Sequence, residues 1–216
     1  MFIGHFGLGL AARRAAPRPS LGTLLLAAQF VDLLWPTMLL LGLEQVAIEP
    51  GATRMTPLHF VAYPYTHSLL AVVGWGFLFG AVYAWMRQDR RGAVVLGLLV
   101  VSHWVLDLLV HRPDLPLYPG GPRVGLGLWN LPAVALPLEL LLYVAGVWLY
   151  VAATRARDRT GRWAFWGLVV LLLLVHLSNL AGPPPSDPVT LAWFAQLQWL
   201  FIPWAYWIDA HRDNRP

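Results

Sequence analysis

The chain has 216 residues, of which 58% are apolar and 12% charged, and it contains no cysteine. Roughly 25% charged residues are usual in a soluble domain, so the composition excludes a conventional soluble globule, and the missing cysteine excludes disulfides and thiolate metal sites. The formal charge of +4 comes from arginines gathered in short clusters between apolar runs, a pattern of membrane topology and not of a nucleic-acid-binding face.

The first twelve residues, Met1 to Ala12, are too short to span and carry neither a positively charged start nor a small-residue cleavage site, so they do not read as a signal peptide. A helix running back from Arg13 carries His5 about 12 Å away at 1.5 Å per residue. The segment is then either a re-entrant half-helix inside the bundle or an interfacial helix with His5 among head groups.

Six apolar runs follow, Ser20–Leu43, Ser68–Met86, Ala93–Val110, Leu131–Ala152, Trp163–Ala181 and Thr190–Ile208, each near the roughly 17–25 residues a spanning helix needs. Twelve arginines fall before the first run, between the second and third, between the fourth and fifth, and after the sixth; only Arg54, Arg112 and Arg123 lie in the other connections. Strict alternation of this kind predicts six spans with both termini in the cytoplasm. We therefore expect residues 1–216 to form a single all-α, polytopic, six-helix transmembrane bundle in a bacterial inner membrane.

Polar residues inside these runs carry the functional signal. Asp32 lies roughly 18 Å along the first span from Ser20, near mid-bilayer, where an unpaired carboxylate costs several kcal/mol. Pro36, four residues on, is expected to kink that span. The loop from Glu44 to Thr66, rich in proline and aromatics, is a candidate lid, and it ends at Tyr65-Thr66-His67-Ser68. In the third span His103, Asp107 and His111 recur every four residues and share one helix face, with His103 level with Asp32. Glu139 lies in the outer half of the fourth span, His176 near the outer end of the fifth.

Two histidines with one or two carboxylates and an open position are the usual make-up of a catalytic zinc or non-haem metal site. Asp32, His67, His103 and Asp107 form such a set if they converge, with Glu139 or His111 left for proton transfer. The bland alternatives are interhelical hydrogen bonds, a buried structural His103–Asp107 pair, and a capping turn at His111-Arg112-Pro113-Asp114.

A histidine near the N-terminus, an aspartate in the first apolar helix, Thr-His-Ser opening the next, and Ser102-His103-x-x-x-Asp107 followed by His111-Arg-Pro-Asp-Leu-Pro-Leu-Tyr-Pro-Gly120 resemble the bacterial membrane-bound metal-dependent hydrolases of the YdjM-like type. The resemblance covers about residues 1–122 and implies His5, Asp32, His67, His103 and Asp107 as metal ligands. The chain departs from the family's Pro-Asp-x-Asp motif in the first helix, reading Val31-Asp32-Leu33-Leu34.

The expected activity is hydrolysis of an ester or phosphodiester in a lipid or other lipophilic small molecule. The cofactor would be a divalent ion, Zn foremost, with Mn, Fe or Ni as alternatives. A small proton-coupled transporter using the same residues and a purely structural membrane protein are the competing readings.

Overall fold

A computed structural model describes residues 1–215, and the chain is mostly helical. The N-terminal helix α1 (Ile3–Ala15) buries Ile3, Gly4, His5, Phe6, Gly7 and Leu10. It enters the bundle and does not lie along its surface. What admits it is a pair of glycines: α1 crosses α6 (Pro132–Ala153) so closely that a Cβ on Gly146 would collide with the Gly7 carbonyl. Small residues let helix backbones approach in this way where water cannot drive association.

The first expected span is broken. Helices α2 (Leu21–Ala28) and α3 (Phe30–Leu40) meet at Gln29 with a bend of 57°. The bend precedes Pro36, which stays inside α3. Because Pro36 has no N–H, the Asp32 carbonyl four residues earlier lacks its helical donor. The break places Asp32 in the first turn of α3, where the helix dipole favours a carboxylate.

Helices α4 (Leu69–Arg87) and α5 (Arg90–Val110) form an antiparallel pair joined by a tight turn in which Gln88 adopts a left-handed conformation (φ 52°). Asp89 caps α5 by accepting the Gly92 N–H. A Cβ on Gly76 of α4 would stand 2.7 Å from the Gly97 carbonyl oxygen of α5, so this pair also packs backbone to backbone. Helix α7 (Arg159–Ala181) is the fourth long apolar helix. Among the described residues four helices, α4 to α7, are long and apolar enough to cross a membrane, and the bent α2–α3 pair makes a fifth if it is one span. The run expected as the sixth span forms α8 (Pro188–Gln196), a 3₁₀ turn (Leu197–Leu200) and α9 (Phe201–Ala210).

Two large apolar cores and a small one of Met1, Leu106 and Val110 result among the described residues. Of the large ones, one joins α1, α2, α6, α7 and α9 around Phe6, Leu25, Tyr150, Phe165 and Ile202; the other joins α2, α3, α4 and α5 around Leu24, Val31, Val72, Leu96 and Trp104. The arginine-bearing connections meet at one end: Arg91 Nε donates to the Ala15 carbonyl, Arg13 bonds Asn214 and pairs with Asp209, and Thr154–Ala156 pairs antiparallel with Arg212–Asn214. At the other end the predicted lid folds as a hairpin, β1 (Gln45–Ile48) on β2 (Leu58–Ala62). Phe60 of that hairpin packs on Trp35, Tyr63, His111 and Trp129. The outward faces of the long helices expose Phe77, Trp85, Leu141, Trp148 and Trp163, the apolar coat and Trp decoration of a lipid-facing surface.

Candidate metal centre

The second core and α1 close on five side chains expected together from sequence. His103 and Asp107 lie one turn apart on α5, His67 just ahead of α4, Asp32 at the start of α3 and His5 on α1. His103 Nε2 lies 3.3 Å from Asp107 Oδ2 and 3.4 Å from Asp32 Oδ1. His67 Nε2 lies 3.3 Å from the same Asp32 oxygen and 3.8 Å from Asp107 Oδ2. Donor atoms around a tetrahedral ion with bonds of about 2.0–2.2 Å sit about 3.3–3.6 Å from one another, a spacing that His103 keeps to both carboxylates and His67 to Asp32, while Asp107 stands outside the compact group of Asp32, His67 and His103.

His5 approaches from the opposite side of Asp107. Its Nε2 is 3.1 Å from Asp107 Oδ1, its ring stacks on His103 with centroids 3.6 Å apart, and the Met1 backbone nitrogen lies 2.6 Å from the same oxygen. Among the described residues two groups are compact enough to hold an ion: His5, His103 and Asp107, and Asp32, His67 and His103. They share His103.

The break at Gln29 has a chemical consequence here. His103 Nδ1 lies 2.8 Å from the Ala28 carbonyl oxygen, which can only accept, so Nδ1 carries a proton and Nε2, directed at two carboxylates, is the nitrogen left to hold either a second proton or a metal. That Nε2 is buried and has no hydrogen-bond partner. The two carboxylates draw positive charge beside them, part of which the Met1 ammonium supplies to Asp107 Oδ1, and a donor set of imidazole and carboxylate is one that a metal ion accepts. The residues therefore fit a metal ion. The Asp32 side chain is 24% exposed while those of His5, His67, His103 and Asp107 are at most 4% exposed, so the centre opens at Asp32.

The two residues expected to move protons lie apart from this cluster. His111, next along the Asp107 face of α5, ends the helix with Nδ1 2.9 Å from Asp114 Oδ1, and Tyr63 donates to the same oxygen at 3.2 Å. Since the carboxylate accepts, Nδ1 donates and Nε2 is left to take a proton. Burial pushes the His111 imidazole below its ordinary value, against the pull of Asp114, and a neutral ring is the form a base requires. The capping turn read from sequence is thus present at His111. Glu139 is buried on α6, with Oε1 3.5 Å from the Gly4 backbone nitrogen; His176 stacks on Phe2. Neither joins the ion-holding groups.

Sequence reasoning passed over Glu44. It is 2% exposed, and Oε1 accepts the N–H groups of Tyr65 and Thr66 at 2.9 and 2.8 Å while Oε2 accepts the Thr66 hydroxyl at 2.7 Å. The Thr66 hydroxyl oxygen in turn lies 2.7 Å from His67 Nδ1. Glu44 had no helical spacing to its partners and sat in what read as a loop, so only its position just beyond a span hinted at it.

The chain is thus a helical membrane-type bundle with a buried His/Asp cluster able to hold a metal ion. No family model matches it, and neither the curated proteins nor the solved structures contain a match.

Proposed function

We propose that this protein is a membrane-embedded, metal-dependent hydrolase of the inner membrane that cleaves an ester or phosphodiester in a lipid-like substrate. The observation that carries this reading is the convergence of His67 Nε2, His103 Nε2, Asp32 and Asp107 within 3.3–3.8 Å of their neighbours in the cluster. His5 serves as a further ligand or holds the second oxygen of Asp107. The resemblance of the Ser102–Gly120 block to membrane-bound metal-dependent hydrolases supports it. A divalent ion, Zn foremost, would lower the pKa of a water towards about 7 and polarise the scissile carbonyl or phosphoryl oxygen.

The chain's own residues supply the rest. Asp32, on the exposed side, is where a substrate arrives, and a substrate dissolved in lipid reaches a site in the outer half of the bundle laterally. His111, held by Asp114 and Tyr63 with Nε2 free to take a proton, is the base this reading assigns to the attacking water; it stands one turn along from Asp107 and outside the ion-holding groups. The Phe60–Trp129 aromatic cluster around His111 keeps that end dry, which strengthens each polar interaction in the site. The reading places six crossings of the membrane and both termini in the cytoplasm.

Elemental analysis of detergent-purified protein tests this directly, with wild type beside His103→Ala and Asp32→Ala of unchanged folded size. One equivalent of zinc, manganese, iron or nickel in the wild type, absent from both variants, with chelator-sensitive cleavage of a lipid-ester panel, is the expected result. Metal-free protein that moves protons across proteoliposomes would replace the hydrolase with a transporter.

A further inference from the structure

The Glu44–Thr66–His67 chain has a polarity that the side chains cannot reverse. A carboxylate has no proton to give, so Glu44 Oε2 takes the Thr66 hydroxyl hydrogen at 2.7 Å. The same hydroxyl oxygen, its own hydrogen committed, can only accept at its 2.7 Å contact with His67 Nδ1. A proton therefore sits on His67 Nδ1, and in the neutral ring Nε2 is the nitrogen with the lone pair, directed towards Asp32 and Asp107.

We infer that Glu44 is a positioning residue for the metal centre, acting through Thr66 to hold His67 in the one tautomer that can bind a metal through Nε2; this rests on the proposed centre. The role is separable from folding because Glu44 divides its work. Oε1 accepts two backbone N–H groups and so shapes the turn into α4, while Oε2 alone sets the hydrogen-bond direction.

Glu44→Gln exploits that division. The amide oxygen must stay on the two N–H groups, which puts the amide nitrogen against Thr66. Thr66 then accepts from that introduced nitrogen and has its hydrogen free to donate to His67 Nδ1, which moves the imidazole proton to Nε2 and blocks the metal. Shape and turn are kept, and only the direction is inverted.

The experiment measures two things on full-length protein in detergent: zinc affinity by competition with a fluorescent chelator, and the His67 tautomer in metal-free protein by ¹⁵N chemical shifts of labelled histidine, assigned with His67→Asn. Expected are a Glu44→Gln variant with affinity lower by about 10–100-fold and its proton on Nε2, a Thr66→Ser variant like wild type, and a Thr66→Val variant with weakened affinity. Wild-type affinity and tautomer in Glu44→Gln overturn the inference. If that variant does not fold, equal affinity of Thr66→Ser and Thr66→Val overturns it instead. Wild type that binds no zinc while His67 keeps its Nδ1 proton would sink the proposed centre but leave the polarity of the chain intact.

Discussion

Position along the chain says less about a buried polar residue than the direction of its hydrogen bonds. His103 and His111 sit eight residues apart on or beside one helix face, yet one donates to a main-chain carbonyl and faces two carboxylates, while the other donates to Asp114 at the edge of an aromatic cluster. Their variants should separate accordingly. His103→Ala should abolish metal retention; His111→Ala should keep the metal and lose about 10²–10⁴-fold in turnover, read as kcat alongside metal content on whichever ester the screen returns. Asp114→Asn, which weakens the orientation of the ring but leaves the ring in place, should lose less than His111→Ala. Equal effects of the His103 and His111 variants on metal content would merge the two sites and remove the division of labour.

Elements place these residues, and two of them do so through irregularities. The break at Gln29 turns α3 so that Asp32 faces α5 and the Ala28 carbonyl reaches His103. The glycine contact between α1 and α6 lets His5 reach Asp107. Gly146→Val should therefore cost about 1–3 kcal/mol as an overpacked contact and move α1 outward, lowering metal occupancy in protein that still runs as a folded species; Gly74→Ala, where a Cβ meets nothing, is the matched control.

A third element carries an acid-sensitive cap. Asp187 accepts the Thr190 N–H and the hydroxyls of Thr190 and Ser186 at the start of α8, and these bonds, the Thr190 N–H first, hold its carboxyl down at about 2. An unfolded aspartate titrates near about 3.9. A depressed folded value stabilises the fold above the unfolded value and is lost as pH falls towards the folded one. The stability difference between wild type and Asp187→Ala should be flat from pH 5 to 8 and shrink as pH falls from about 4 towards 2, as followed by denaturation at each pH. A difference that grows on acidification would mean the cap is not carried by the ionised carboxylate.

At the scale of the whole molecule, the arginine end and the hairpin end define an axis along which α4 to α7 run with apolar outward faces. The six crossings proposed above would put both termini on one side. The chain contains no cysteine, so single cysteines placed at Gly4, Gln88, Gly120 and Asn214 can be labelled in intact and permeabilised cells without a background. Gln88 and Asn214 should react only after permeabilisation, Gly120 in intact cells, and the buried Gly4 in neither. Labelling of Asn214 in intact cells would break the even count and the proposed orientation.

Apolar run lengths and the alternation of arginines determined by themselves that this is a helical membrane-type chain, because a lipid-facing helix must be apolar all round and those restrictions are local. The i, i+4 spacing of His103 and Asp107 likewise made a site legible, since one helix geometry places both, and the cost of a buried charge marked Asp32. Only the tertiary structure decided which of these groups meet. It broke the first span at Gln29 and not at Pro36; it divided the last apolar run into α8 and α9; and it joined Glu44 to Thr66, 22 positions away across a loop hairpin, and through Thr66 to His67. Hydrogen-bond direction between distant residues has no period along a chain, and that is why the group inferred to set the metal-binding tautomer was the one the sequence did not disclose.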